Sequence, residues 1–425
     1  MARNRVLRRF WISQMLSEVG DWIGLLGIAA LLYAETGLAV VASASLAAMY
    51  LPYLFAPWLV GICARIPPRT LLIGADLIRG VIILMLLLPL PAPALLFLVF
   101  LASIPTSVYE ATRAAAVPEY APDEATRDDA LVLFQSTQQV ATMMGFLIGG
   151  AALAFAGFHA AIVLNAASFF LSGLMLIGVP YLAPLVEAGH SAFGLVGSGL
   201  RALRGQVLLR RALLLSIVSA STIMAGEALV VVYGSEISFG GLAGPLAASS
   251  AAMAAILGLL LPRHLASKDL LRVAEITMVI GGFAAIVSFV MVPSLLSGFT
   301  GYLALGVVNA PGALTYVVAV REMGPAVRAP VFALAQVGLM GGQAMVAVLA
   351  GQVADSLTVG LSVALWQVPC VVLALAWFVF SRTTNQVPAE QQPAGPVLES
   401  PTPSRSPALS PWVDAPETPA LPATH

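Results

Sequence analysis

Charge is what this chain has least of. Only 10% of its 425 residues are Asp, Glu, Lys or Arg, against about 25% in an ordinary soluble domain. With 59% hydrophobic residues and a mean hydropathy of +0.94, there is too little polar surface to coat a water-soluble globule. Lipid must surround most of the chain. Lysine occurs once, as Lys268 in ASKDLL, which excludes a GxxxxGK[ST] phosphate loop and with it an intrinsic ATPase. HExxH, GxSxG and a TVGYG filter are absent, and the four histidines (His159, His190, His264, His425) are scattered over connections and the tail. No nucleophile, metal or cofactor constellation remains, so neither an enzyme nor a cofactor nor a nucleic-acid partner is expected. The two cysteines, Cys63 and Cys370, lie far apart in apolar runs and imply no disulfide framework.

What is present is a series of apolar runs long enough to cross a ~30 Å hydrocarbon core. They predict twelve spans at 11–34, 42–63, 71–90, 93–113, 130–156, 160–180, 212–234, 242–262, 271–292, 296–320, 329–353 and 359–381. The first follows Arg3, Arg5, Arg8 and Arg9 and is too long for a signal-peptide core, with no small-residue cleavage pattern behind it. All twenty Lys and Arg residues fall on one side of this topology. The connections after spans 1, 3, 5, 7, 9 and 11 hold none. The positive-inside rule then places both termini in the cytoplasm and fixes an even number of spans.

An offset of 201 residues lays Arg9 over Arg210, Arg127 over Arg328, Gln135 over Gln336 and Gly150 over Gly351. That implies a six-plus-six duplication of the parallel-repeat kind. The expected organisation is a six-helix bundle over 1–180, a cytoplasmic connection over 181–211, a second bundle over 212–382 and a disordered proline-rich tail over 383–425. The connection carries Arg201, Arg204, Arg210 and Arg211, as befits an amphipathic segment on an anionic membrane face.

Ionisable groups inside a span are costly and need a reason. Glu18 and Asp21 share one face of span 1. At ~1.5 Å per residue, Asp21 lies about 18 Å beyond Arg9, near the bilayer centre. It either handles a proton or substrate or is fixed by hydrogen bonds to a neighbouring helix, with Gly20 permitting close approach. Glu227 in span 7 is either a third such group or a wetted outer-end residue. Asp76 with Arg79, and Glu110 with Arg113, are spaced to pair and suit cytoplasmic gate or packing contacts. Spans 5 and 11 carry Gln135, Gln138, Gln139, Gln336 and Gln343. Amide-bearing helices must face protein or water, so spans 1, 5, 7 and 11 are expected to line an interior pathway. Spans 3 and 12, almost purely aliphatic, should brace the outside.

The opening RNRVLRRFWISQMLSEVGDWIGLLGIAALLYAETG, followed by LPYLFAPWLVG, LLIGADLIRG, ATRAAAVPEYAP, VLNAASFFLSG, LALGVVNAPG and LAGQVAD, resembles the branch of the major facilitator superfamily that holds enterobactin-exporter-like and macrolide-efflux-like permeases. The resemblance covers nearly all of the chain before the tail. It implies an all-α membrane protein of twelve helices in two six-helix bundles with a central cavity. It further implies rocker-switch alternating access in a bacterial inner membrane, and export of drug- or siderophore-like amphiphiles against proton entry. The partners implied are a small-molecule substrate, protons and the lipid bilayer, with the protein acting as a monomer. Asp21 matches the family's helix 1 aspartate, and Asp76 and Arg79 its helix 3 pair. The second connection departs from the pattern Gly-x-Leu-Ala-Asp-Arg-x-x-Arg-Arg. It reads GICARIPPRT, with Arg65 where the aspartate belongs and Ile66 where the arginine belongs. That aspartate helps latch the bundles on the cytoplasmic side, so its loss leaves open weaker closure, a replacement latch or lost transport. An uncoupled facilitator or importer, and a transport-deficient membrane binding or scaffold protein, are the alternatives.

Overall fold

Asn4 starts the first helix: its side chain accepts from the N–H groups of Val6 and Leu7, satisfying donors that a helix start leaves open. The helix (α1, Arg5–Thr36) ends where Gly37 turns left-handed at φ 68° and donates to the Tyr33 carbonyl. These bounds come from a computed structural model, which describes residues 4–63, 65–120, 124–181, 192–204, 206–237, 243–258, 266–323 and 325–384. Within some helices, including 124–136, only the backbone is described. The proline-rich tail lies outside the described residues.

The twelve expected spans are all present. Span 1 is α1, and span 2 runs as α2 (Ala39–Tyr50), a 3-10 turn (Leu51–Phe55) containing Pro52, and α3 (Ala56–Cys63). Spans 3 and 4 are α4 (Pro68–Met85) and α5 (Ala92–Ala116). Spans 5 and 6 share the run α6 (Glu124–Leu176), divided at Gly157, whose φ of 76° and ψ of −180° only glycine tolerates well. After the short α7 (Ala192–Ala202), span 7 is α8 (Val207–Ala228) and α9 (Val230–Glu236), interrupted at Leu229. Spans 8 to 12 are α10 (Ala243–Gly258), α11 (Ser267–Val290), α12 (Leu295–Glu322), α13 (Pro325–Ser356) and α14 (Val359–Thr384). Seven helical runs among the described residues, one of them the run divided at Gly157, are long and apolar enough to cross a membrane. The remaining spans are interrupted, carry a charged face or have a shorter apolar run.

Residues 1–381 form one compact unit. Because the number of spans is even, both ends of this unit lie at one face, here called the terminal face; the other is the distal face. Span 2 packs against span 11, and span 8 against span 5. This exchange of partners is what a two-fold relation between the repeats requires, and it agrees with the 201-residue offset. The largest apolar core joins the halves: Leu25, Leu26, Ala39, Ala42, Leu46 and Phe146 of the first half pack with Ala228, Leu229, Ala247, Ala350 and their neighbours in the second. These residues lie in the distal parts of their spans. Toward the terminal face, Gln138 and Gln336 are exposed.

Two expectations need revision. Span 3 is not simply an outer brace: Leu77, Ile78, Val81 and Leu84 are exposed along one face, while the opposite face buries Asp76 and Arg79 completely. Span 7 begins at Val207 rather than 212, and its break at Leu229 was not foreseen from its aliphatic sequence.

Candidate functional site

Spans 1 and 6 approach closely because small residues line the seam. A Cβ at Gly20 would strike Ser168, and one at Gly24 would strike Asn165. That approach sets Asp21 against span 3. The Arg79 guanidinium donates to Asp21 at 2.6 Å, to Ser17 at 3.0 Å and to Asp76 at 3.4 Å. It lies 3.9 Å from the Phe169 ring centroid, a cation–π contact. Ser172 donates to Asp76 at 2.5 Å and is 2.7 Å from Ser13, which in turn is 3.1 Å from the Tyr109 hydroxyl. A buried ion needs this density of partners, since each unmade bond costs more than a made one returns. The cluster holds two carboxylates and one guanidinium. Its described partners all belong to the first half, so the Asp76–Arg79 pair ties helices within one bundle. Asp21 is its most accessible member, with the side chain 21% exposed against 0% for Asp76.

One turn nearer the terminal face, Glu18 accepts from Gln14 at 2.5 Å. Its second carboxylate oxygen is buried with no hydrogen bond among the described residues. Glu110 and Arg113 form an ion pair within span 4, as their spacing predicts.

Glu227 occupies a different place. It is half-buried in a narrow cleft of about 10 Å³, lined by Gln139, Thr142 and Phe146 of span 5, Ile223 of span 7, Ala251 of span 8, and Gly306 and Asn309 of span 10. The cleft therefore lies between the halves, and the Glu227 carboxylate has no hydrogen bond or ion pair among the described residues. A wetted outer-end position does not fit this setting. Span 7 breaks two residues further on, and interrupted helices are how transporter folds bring polar groups to a binding site. Of the amides, Gln139 reaches the cleft, Gln138 and Gln336 are exposed, and Gln343 buries an oxygen without a described hydrogen bond. The Gln135 side chain lies outside the described residues.

A second, larger recess is wholly apolar. Ala44, Ala47 and Leu54 of span 2, Phe97 and Phe100 of span 4, and Gly341, Met345 and Val348 of span 11 line a recess of about 580 Å³, open on one side. It straddles the seam of the two halves.

Glu275 was missed by sequence reasoning. It is fully buried in span 9 and paired with Arg211 of span 7, giving the second half its own ionic tie. Its charge inside an apolar run was the available signal. Asn309, in LALGVVNAPG, was visible only as part of a motif.

The chain matches the family model of the Major Facilitator Superfamily over residues 10–326. It belongs to that superfamily. No curated relative matches in sequence. Solved structures of similar fold include the nucleoside transporter NupG, at 14% identity with a TM-score of 0.68, covering 89% of this chain and 99% of that one. A bacterial homologue of the human lysosomal transporter Spinster, in an inward-facing and occupied conformation, aligns at 16% identity and a TM-score of 0.69, over 90% of this chain and 97% of that one. A POT family transporter in complex with 5-aminolevulinic acid aligns at 15% identity with a TM-score of 0.67, covering 89% and 96%. At these identities the likeness concerns the fold. A superfamily member of this kind is a multi-pass membrane transporter of small molecules, and no catalytic family is indicated.

Proposed function

We propose that this superfamily member is a secondary-active exporter of small amphiphilic molecules, of drug or siderophore type, working by proton antiport and alternating access. The observation that carries the reading is the one-sided join between the halves. Apolar residues from both halves seal the distal parts of spans 1, 2, 5, 7, 8 and 11, while polar groups of spans 5 and 11 stay exposed toward the terminal face. That is one end state of a rocking cycle. With the termini in the cytoplasm, the orientation that the arginine distribution supports, and the protein in a bacterial inner membrane, the open side faces the cytoplasm and receives cargo from within.

The charge count supports proton coupling. Asp21, Asp76 and Arg79 carry one more negative than positive charge when all are ionised, so uptake of one proton neutralises a buried cluster. Asp21, the accessible member, is the group we assign to this step. Glu227, its carboxylate without a described hydrogen bond or ion pair and set between the halves, is the group we assign to cargo or to a second proton. Each proton entering contributes about 2.3 kcal/mol per 100 mV of membrane potential.

The test is efflux of amphiphilic dyes from energised cells and their uptake by inverted vesicles. Wild-type transport should collapse with a protonophore, and Asp21→Asn should abolish its pH dependence while leaving the protein in the membrane. Coupled export that survives Asp21→Asn unchanged would rule out the assigned proton role. Cargo flux indifferent to the protonophore would favour an uncoupled facilitator.

A further inference from the structure

Span 2 starts without a capping residue of its own. Leu38 stands at its N-cap position and has no side-chain acceptor to offer. A helix start needs such acceptors, because its first N–H groups have no intrahelical partner. Here they come from the other half of the protein. Asp355, at the distal end of span 11, accepts from the Ala39 N–H at 2.6 Å through one carboxylate oxygen and from the Val40 N–H at 3.0 Å through the other. A negative charge on a helix N-terminus also meets the positive end of its dipole. Beside this contact Gly351 lies directly on the span 2 backbone, where a Cβ would collide with Val40 and Ser43.

We infer that Asp355 is a distal latch: its carboxylate caps span 2 across the interface and holds the halves together at the face away from the termini. The cap is satisfied only while the halves touch, so opening at this face strips two N–H groups of their acceptor. Water then replaces it, and the latch is broken without unfolding either helix. The inference rests on the alternating-access reading for its use, but not for its geometry.

The experiment reads accessibility, so it needs no identified cargo. In a background of Cys63→Ser and Cys370→Ala, Ala350→Cys places a thiol in the sealed distal core, and a membrane-impermeant maleimide is applied to the distal face. Labelling should be slow in the parent and rise on the order of tenfold in Asp355→Ala, the scale set by the loss of one helix N-cap. The double variant Leu38→Ser/Asp355→Ala gives span 2 a cap of its own and should stay equally accessible. A return to the parental rate in the double variant would mean that the single change merely frayed span 2, and would overturn the latch. Gly351→Leu, which wedges the same seam, is the opening control. If it raises labelling and Asp355→Ala does not, the latch is wrong and alternating access stands. If neither raises it, both readings fall.

Discussion

An arginine in a lipid-spanning helix must be matched by charge and hydrogen bonds, or the helix does not stay in the membrane. Arg79 is matched on every side: Asp21, Asp76, Ser17 and the ring of Phe169 surround it. Arg79→Ala should therefore be severe. It leaves the fully buried Asp76 without its counter-charge, and breaking a buried pair from one side costs about 3–5 kcal/mol. Thermal unfolding in detergent should show a large drop, with Arg79→Lys intermediate because an ammonium cannot reproduce the planar contact with two carboxylates. The Asp76–Arg79 pairing was legible from spacing, as was that of Glu110 with Arg113. That Asp21 joins the first pair was not, because three helices meet there and no local pattern encodes a junction between distant segments. The pairing of Glu275 was hidden for the same reason, its partner Arg211 having been counted among the residues of a connection.

Among the elements, span 1 is held by contact rather than by propensity. Glycines at 20 and 24 let it lie against Asn165 and Ser168, and close backbone approach of this kind is the main source of helix association in lipid. Gly24→Leu should force the two helices apart and lower stability by about 1–3 kcal/mol, read again by thermal unfolding. It should also loosen the Asp21–Arg79 contact, so cargo transport should fall further than stability alone accounts for. Span boundaries were legible because hydropathy reports burial in lipid directly. The breaks in spans 2 and 7 were not. Pro52 gave a local signal for the first, but Leu229 lies in an uninterrupted aliphatic run, and only packing against neighbouring helices decides its backbone.

For the whole molecule, topology was the most legible feature, because charge asymmetry across a membrane is a sum over many residues. The arrangement carries a direct check. With the expected orientation, Ser294→Cys in the connection between spans 9 and 10 should react with an impermeant maleimide in intact cells, and a cysteine replacing Arg204 should react only in inverted vesicles. The reverse pattern would invert the assignment of inside and outside. The exchanged pairing of span 2 with 11 and span 5 with 8 was foreshadowed by the sequence offset. The seam between the halves was not, since interface residues are as apolar as those that face lipid.

That seam also offers a way to stop the machine. The apolar recess walled by spans 2, 4 and 11 is built from both halves, so its width must change whenever they rock. A greasy, rigid compound that fits it at one width would act as a wedge, arriving through the bilayer and arresting the cycle. Such an inhibitor would owe nothing to the chemistry of the cargo. Raising the cargo concentration would not displace it, and resistance to it would arise at Ala44, Phe97 or Met345 rather than at the polar residues that handle the load.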